Sequence, residues 1–170
     1  MSEADDETTK IGKGHRGNAS QFFVAGELCR RGHSAVVTLG NTPNVDILCS
    51  NLTGTRFVHV QVKTFPKGAG KCIVGKKAEI DSGISFFWIL VGLPAMESNE
   101  KIEYFVVPAS VMARKIKLQY DTYLKTPGAK GQQRKKTSMR TVAIPPRKNN
   151  QGWSIEVYRD QWKLIDKALK

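Results

Sequence analysis

The chain has 170 residues, 40% of them hydrophobic, and a formal net charge of +12 from 27 basic against 15 acidic side chains. That length suits one domain with a true core. The acidic start (Glu3, Asp5, Asp6, Glu7) is the wrong sign for a secretory leader, and the most apolar run, ISFFWILVGL at 84–93, is too short to span a bilayer.

Residues 1–15 are polar and glycine-dotted and read as a flexible tail, with residues 16–170 as a single domain. Asn18 reads as the cap of a helix running to about Arg31, where Gly32 supplies a stop. Ser34–Leu39 (SAVVTL) reads as a strand and 40–44 as a loop. Val45–Ser50 and Arg56–Thr64 read as two strands of a hairpin turning at Thr53-Gly54. Residues 65–77 read as a basic, Gly-rich loop and 76–82 as a short helix or turn. Phe86–Leu93 is a continuous apolar run, the pattern of a strand buried on both faces. Ile102–Val107 follows as another strand, and Pro108 opens a helix to about Leu118. About 125–151 reads as a long basic surface loop with little core. In 158–169, Trp162, Ile165 and Leu169 share a helical stripe. The order describes an α/β (α+β) sandwich around a mixed sheet.

The positive charge is clustered. Residues 111–148 hold eleven basic side chains and one acid, Asp121, and residues 63–77 hold five lysines and no acid. Clusters of one sign favour a polyanionic partner, most simply nucleic acid. The three cysteines (Cys29, Cys49, Cys72) form no CxxC pair and suggest neither a zinc knuckle nor a disulfide framework, which suits a reducing cytoplasm. Trp88, Trp153 and Trp162 read as core residues.

The chemistry concentrates in VDILCSNLTGTRFVHVQVKT at 45–64. In FVHVQVK the valines Val58, Val60 and Val62 alternate with Phe57, His59, Gln61 and Lys63. Alternation puts the valines on one face of the sheet and Gln61 with Lys63 on the other, about 7 Å apart. A hairpin symmetric about Thr53-Gly54 sets Asp46 opposite Gln61, with Cβ atoms about 5 Å apart; a bulge would shift that register. A carboxylate and an amide oxygen so placed share one hard cation such as Mg²⁺ or Mn²⁺, with the Val62 carbonyl as a third oxygen. Lys63 is placed to orient an attacking water or to bind phosphate, and the chemistry is phosphodiester hydrolysis.

Asp46 in NVDIL, then Gln61-Val62-Lys63 in VQVKT, resembles the PD-(D/E)xK nuclease superfamily, and the spacing is similar to archaeal Holliday-junction resolvases and Mrr-type endonucleases. The resemblance covers about residues 15–93. It implies a restriction-endonuclease-like mixed sheet flanked by helices, an endonuclease acting on DNA with Mg²⁺ or Mn²⁺ and no organic cofactor, and a homodimer. It also implies that Glu27, on the preceding helix, joins Asp46, Gln61 and the Val62 carbonyl as a metal ligand, with Lys63 completing the catalytic set. Two positions depart from the pattern. Val45 stands where the name motif has proline, and Gln61 replaces an acid. The second removes a negative charge and shifts metal binding toward Glu27, Asp46 and the substrate phosphate.

Lys67, Lys71, Lys76 and Lys77 in the first basic loop, and Lys130, Arg134, Lys135, Lys136 and Arg140 in the second, are the expected DNA contacts. Other readings stand beside these. Glu27 can simply pair with Arg30 or Arg31 along its helix. Gln21 can touch phosphate, and His59 shares the face of Gln61 without a catalytic role. The charge also fits a catalytically inactive nucleic-acid-binding module of the same fold, or a subunit whose basic loops meet an acidic protein.

Overall fold

The eight residues Phe86–Leu93 are all buried, so layers must cover both sides of that strand. The computed structural model describes residues 12–38, 44–149 and 152–170. Its elements are α1 (Lys13–Arg30), β1 (Ser34–Val37), β2 (Ile47–Ser50), β3 (Phe57–Pro66), β4 (Lys71–Ile73), a 3-10 turn (Lys76–Glu79) and β5 (Phe86–Leu93). There follow β6 (Glu103–Pro108), α2 (Ala109–Lys125), β7 (Thr141–Ala143), a second 3-10 turn (Glu156–Tyr158) and α3 (Lys163–Ala168). The main sheet runs β1-β2-β3-β5-β6, and β4 with β7 forms a separate two-stranded ribbon. Strands β3 and β5 pair in parallel, while the other neighbours are antiparallel, giving the mixed sheet expected.

Alternation along the strands divides the core in two. Val58, Val60 and Val62 of β3 and Phe87, Ile89 and Val91 of β5 face α1, where they meet Val24 and Leu28; Trp162, Ile165 and Leu169 join them. Trp88 and Leu90 of β5 face the other way, with Phe65, Phe105, Met112 and Ile116 of the α2 layer. Gly92, on the same side as Trp88 and Leu90, marks a close approach within the α2 layer. A Cβ there would lie 2.8 Å from the Phe65 ring and 2.9 Å from a Glu103 carboxylate oxygen, which leaves no room for a side chain.

Several boundaries differ from expectation. Helix α1 starts at Lys13, inside the expected tail, with Gly12 extended before it and no side-chain cap. Asn18 is therefore a mid-helix residue and caps nothing. Gly32 has φ +87°, so it does stop the helix. Helix α2 runs one to two turns past Leu118. The C-terminal helix is only six residues long, although its apolar stripe is buried as expected. The two basic segments correct more. Residues 65–77 carry the end of β3 and β4, and 125–149 carry β7, with Val142 and Ile144 fully in the core. Three-residue strands between lysines leave no periodicity to read.

The expectations for residues 1–11, for Leu39 and the loop at 40–43, and for 150–151 fall outside the described residues. No helix among the described residues is long and apolar enough to cross a membrane.

Candidate functional site

Asn51 builds the hairpin turn. Its side-chain oxygen accepts from the backbone N–H of Thr55 at 2.9 Å and of Arg56 at 3.2 Å, while Gly54, at φ +68°, donates to the Asn51 carbonyl. The strands then pair Ile47↔Val60, Leu48↔His59, Cys49↔Val58 and Ser50↔Phe57. This is the register set by symmetry about Thr53-Gly54.

One position further, the backbone departs from that register. The Asp46 N–H donates to the Val60 carbonyl at 2.9 Å, one residue out of step. The side chain restores the facing. A single Asp46 carboxylate oxygen accepts from the Gln61 side-chain amide and, at 2.7 Å, from the Val62 N–H. Gln61 is only 8% exposed and Val62 6%, so these bonds are shielded from water. Thr38, just past β1, holds Asp46 from its other side. Its N–H donates to the Asp46 carbonyl at 3.0 Å and its hydroxyl to the Val45 carbonyl at 2.6 Å. Sequence reading missed Thr38, because nothing local to it signals a contact made through sheet pairing.

Lys63 lies two residues beyond Gln61 on the same, α2-facing side of β3, half-buried. It takes no hydrogen bond or ion pair among the described residues. Its charge is felt at Cys72 of the ribbon. Burial pushes the Cys72 thiol up to about 12, and the Lys63 ammonium pulls the other way. Asp46, Gln61 and Lys63 thus form one strip along the hairpin, with the ribbon beside it.

Glu27 is not brought to that strip. Helix α1 covers the valine face of the sheet, and Gln61 and Lys63 point to the opposite one. The Glu27 carboxylate accepts from the Arg30 guanidinium through two bonds of 2.8 Å and from Arg31 through a third. The Arg30 hydrogen bond holds the Glu27 carboxyl below its ordinary range. Its charge reaches Tyr104 of β6, whose hydroxyl is pushed up to about 12 by burial first and then by Glu27. Glu27 therefore stands over the β6 side of the α1 layer, paired along its helix. Replacing it with glutamine is expected to change any cleavage rate by less than about threefold, against the hundredfold typical of a lost catalytic group. The same change should flatten the acid limb of a stability-versus-pH curve. The Glu27 contribution is present above the unfolded carboxylate value and is lost as pH falls through the lower folded one.

No protein family and no curated protein matches the chain by sequence. A solved structure matches it in shape. That structure is of a bacterial homing endonuclease, I-Ssp6803I, at a TM-score of 0.54 and 16% identity, over 94% of this chain and 95% of that one. The chain has a nuclease-like fold.

On this nuclease-like fold the expected DNA contacts separate into two kinds. Lys71, Lys76, Lys77, Lys130, Lys135 and Lys136 are exposed. Lys67 donates to the Lys101 carbonyl at 3.0 Å and pairs with Glu100 at 3.5 Å. Arg134 lies 5.0 Å over the Tyr123 ring. Arg140 is a correction. It is 5% exposed, paired with Glu79, bonded to the carbonyls of Thr137 and Met139, and stacked 3.2 Å over Tyr120. A guanidinium so fully engaged holds the chain together and offers nothing to a phosphate. Tyr120 and Tyr123 stack on each other, so the column Arg140–Tyr120–Tyr123–Arg134 straps the basic segment onto α2.

Proposed function

We propose that the chain is a divalent-metal-dependent DNA endonuclease, hydrolysing phosphodiester bonds at a PD-(D/E)xK-type site formed by Asp46, Gln61 and Lys63. The observation that carries the reading is the placement of the Asp46 carboxylate against Gln61 and Val62, with Lys63, unpaired among the described residues, next on the same face. The nuclease-like fold supports it.

The donors fit Mg²⁺ or Mn²⁺: a carboxylate, an amide oxygen and a backbone carbonyl are all hard oxygens. Among the described residues no three His, Cys, Asp or Glu side chains cluster, so affinity would lean on water and on the substrate's own phosphate. Gln61 turns its amide nitrogen to Asp46; half a turn of the amide presents its oxygen instead. Two oxygens facing each other repel unless a cation lies between them, so Gln61 would report metal by turning. A bound metal would acidify water and offset the charge gathering on phosphorus. Lys63 would hold a phosphate oxygen or orient the water, and the exposed lysines would retain the DNA backbone. A homodimer belongs to this reading, and the exposed apolar side chains Val36 and Leu48, in line with His59, and Phe57 next along β3 support it.

Incubating the protein with plasmid, four-way-junction and flap DNAs in Mg²⁺ or Mn²⁺ tests the proposal. Cutting that vanishes in Lys63→Ala is expected; cutting that persists unchanged would sink this site. One observation favours the inactive binding module as a second reading: the protein's own Gln61 amide and Val62 N–H both bond to Asp46. Calorimetry with Mn²⁺ separates the two, since tight DNA binding with no metal uptake and no cutting belongs to the module.

A further inference from the structure

A cavity of about 440 Å³ opens between the β4–β7 ribbon and the last turns of α2, and none of Asp46, Gln61 and Lys63 lines it. Pairing sets its floor. In the register Lys71↔Ala143, Cys72↔Val142 and Ile73↔Thr141, Cys72 and Val142 are turned into the core. Lys71, Ala143 and Thr141 are turned out and floor the cavity. One wall is formed by Met139 and the edges of Tyr120 and Tyr123, whose ring faces are taken up by each other and by Arg140 and Arg134. The other is basic, from Arg147 and Lys148. A Cβ at Gly70 would lie 2.6 Å from the Arg147 guanidinium, so glycine is what lets that cation lie against the backbone at the rim. No carboxylate lines the cavity among the described residues.

The walls are held in place. Tyr120 OH donates to the Thr137 carbonyl and accepts from the Thr137 N–H, and the Gln119 amide donates to the Thr141 carbonyl. A basic rim facing an apolar wall across a fixed floor matches a strand with phosphates on one edge and bases on the other. A duplex is too wide to enter a space of this size, whereas one nucleotide at a time fits.

We infer that this groove binds an unpaired DNA strand, with phosphates on Lys71, Arg147 and Lys148 and bases against the Tyr–Met wall. The inference rests on the reading of the chain as a DNA enzyme and deepens it: the substrate then carries a single-stranded segment, held on the ribbon, as well as the bond to be cut.

Fluorescence anisotropy without divalent metal tests it, using one short mixed-sequence deoxyoligonucleotide, single-stranded and as its duplex. Ala143→Tyr fills the groove and leaves every charge in place. It is expected to weaken single-strand binding about tenfold and duplex binding less than about twofold. Should circular dichroism show that variant unfolded, the double variant Arg147→Ala/Lys148→Ala serves instead. Its single-strand binding should lose about 1.4 from the slope of log K against log salt, with the duplex slope unchanged. Duplex binding with no single-strand binding, or losses equal on both forms, would overturn the groove and leave the nuclease reading standing. Failure of the wild type to bind either form would overturn that reading and the groove with it.

Discussion

Asp46→Asn is expected to reduce metal-supported DNA cutting by at least about a hundredfold, a barrier increase of about 2.7 kcal/mol. Its unfolding free energy should fall by only about 1 kcal/mol. The two numbers come apart because asparagine keeps the shape and one acceptor oxygen. That oxygen can still take the Val62 N–H or the Gln61 amide, both shielded from water. The charge that would attract a cation is gone. Alanine is the blunter change, since it leaves the Val62 N–H without its partner and adds the cost of a buried orphan donor. Plasmid nicking rates beside urea denaturation of the same preparations check both halves. A variant that unfolds as readily as alanine, or cuts as well as the wild type, contradicts the account of this carboxylate.

Arg140→Met is expected to cost about 3 kcal/mol of stability, within the range for breaking a buried pair. The Glu79 carboxylate loses its partner, the Thr137 and Met139 carbonyls lose their donor, and Tyr120 loses the cation over its ring. The Arg140 carbonyl also accepts from Val74 and Gly75, so its own position ties the ribbon to the 3-10 turn. Binding of duplex DNA, measured per folded molecule, should be unchanged. That separates Arg140 from the exposed lysines around it, whose removal should weaken binding and flatten its salt dependence. Urea melts and salt titrations of Arg140→Met and Lys135→Ala, side by side, make the contrast.

What was legible in the sequence follows from how local each signal is. The hairpin could be read because its turn, its alternating valines and its facing residues all lie within 45–64. Strand β5 announced itself by eight apolar residues in a row. Glu27 was placed on the right helix and the wrong side of the sheet. Helical periodicity tells which residues of α1 are buried, but which layer α1 joins is decided by β3 and β5. Arg140 looked like one more basic loop residue because its partner, Glu79, is sixty-one residues away in sequence. Strand β7 was hidden for a related reason: three residues among lysines show no period, and their strand identity comes from pairing with β4.

The division of the core by β5 has a consequence for how this chain can change over generations. Apolar residues in the α1 layer and in the α2 layer fill separate clusters, one on each side of the sheet. Substitutions that far apart and without shared partners add nearly independently. The α2 layer carries the ribbon, the strap and most of the exposed lysines, while the α1 layer closes the sheet with α1 and the C-terminal stripe. A lineage can therefore rework the surface that meets its target on one side and draw on an undisturbed reserve of stability on the other. Gly92, Phe65 and Glu103 crowd one another on the α2 side of the sheet, and there the freedom of that layer is narrowest.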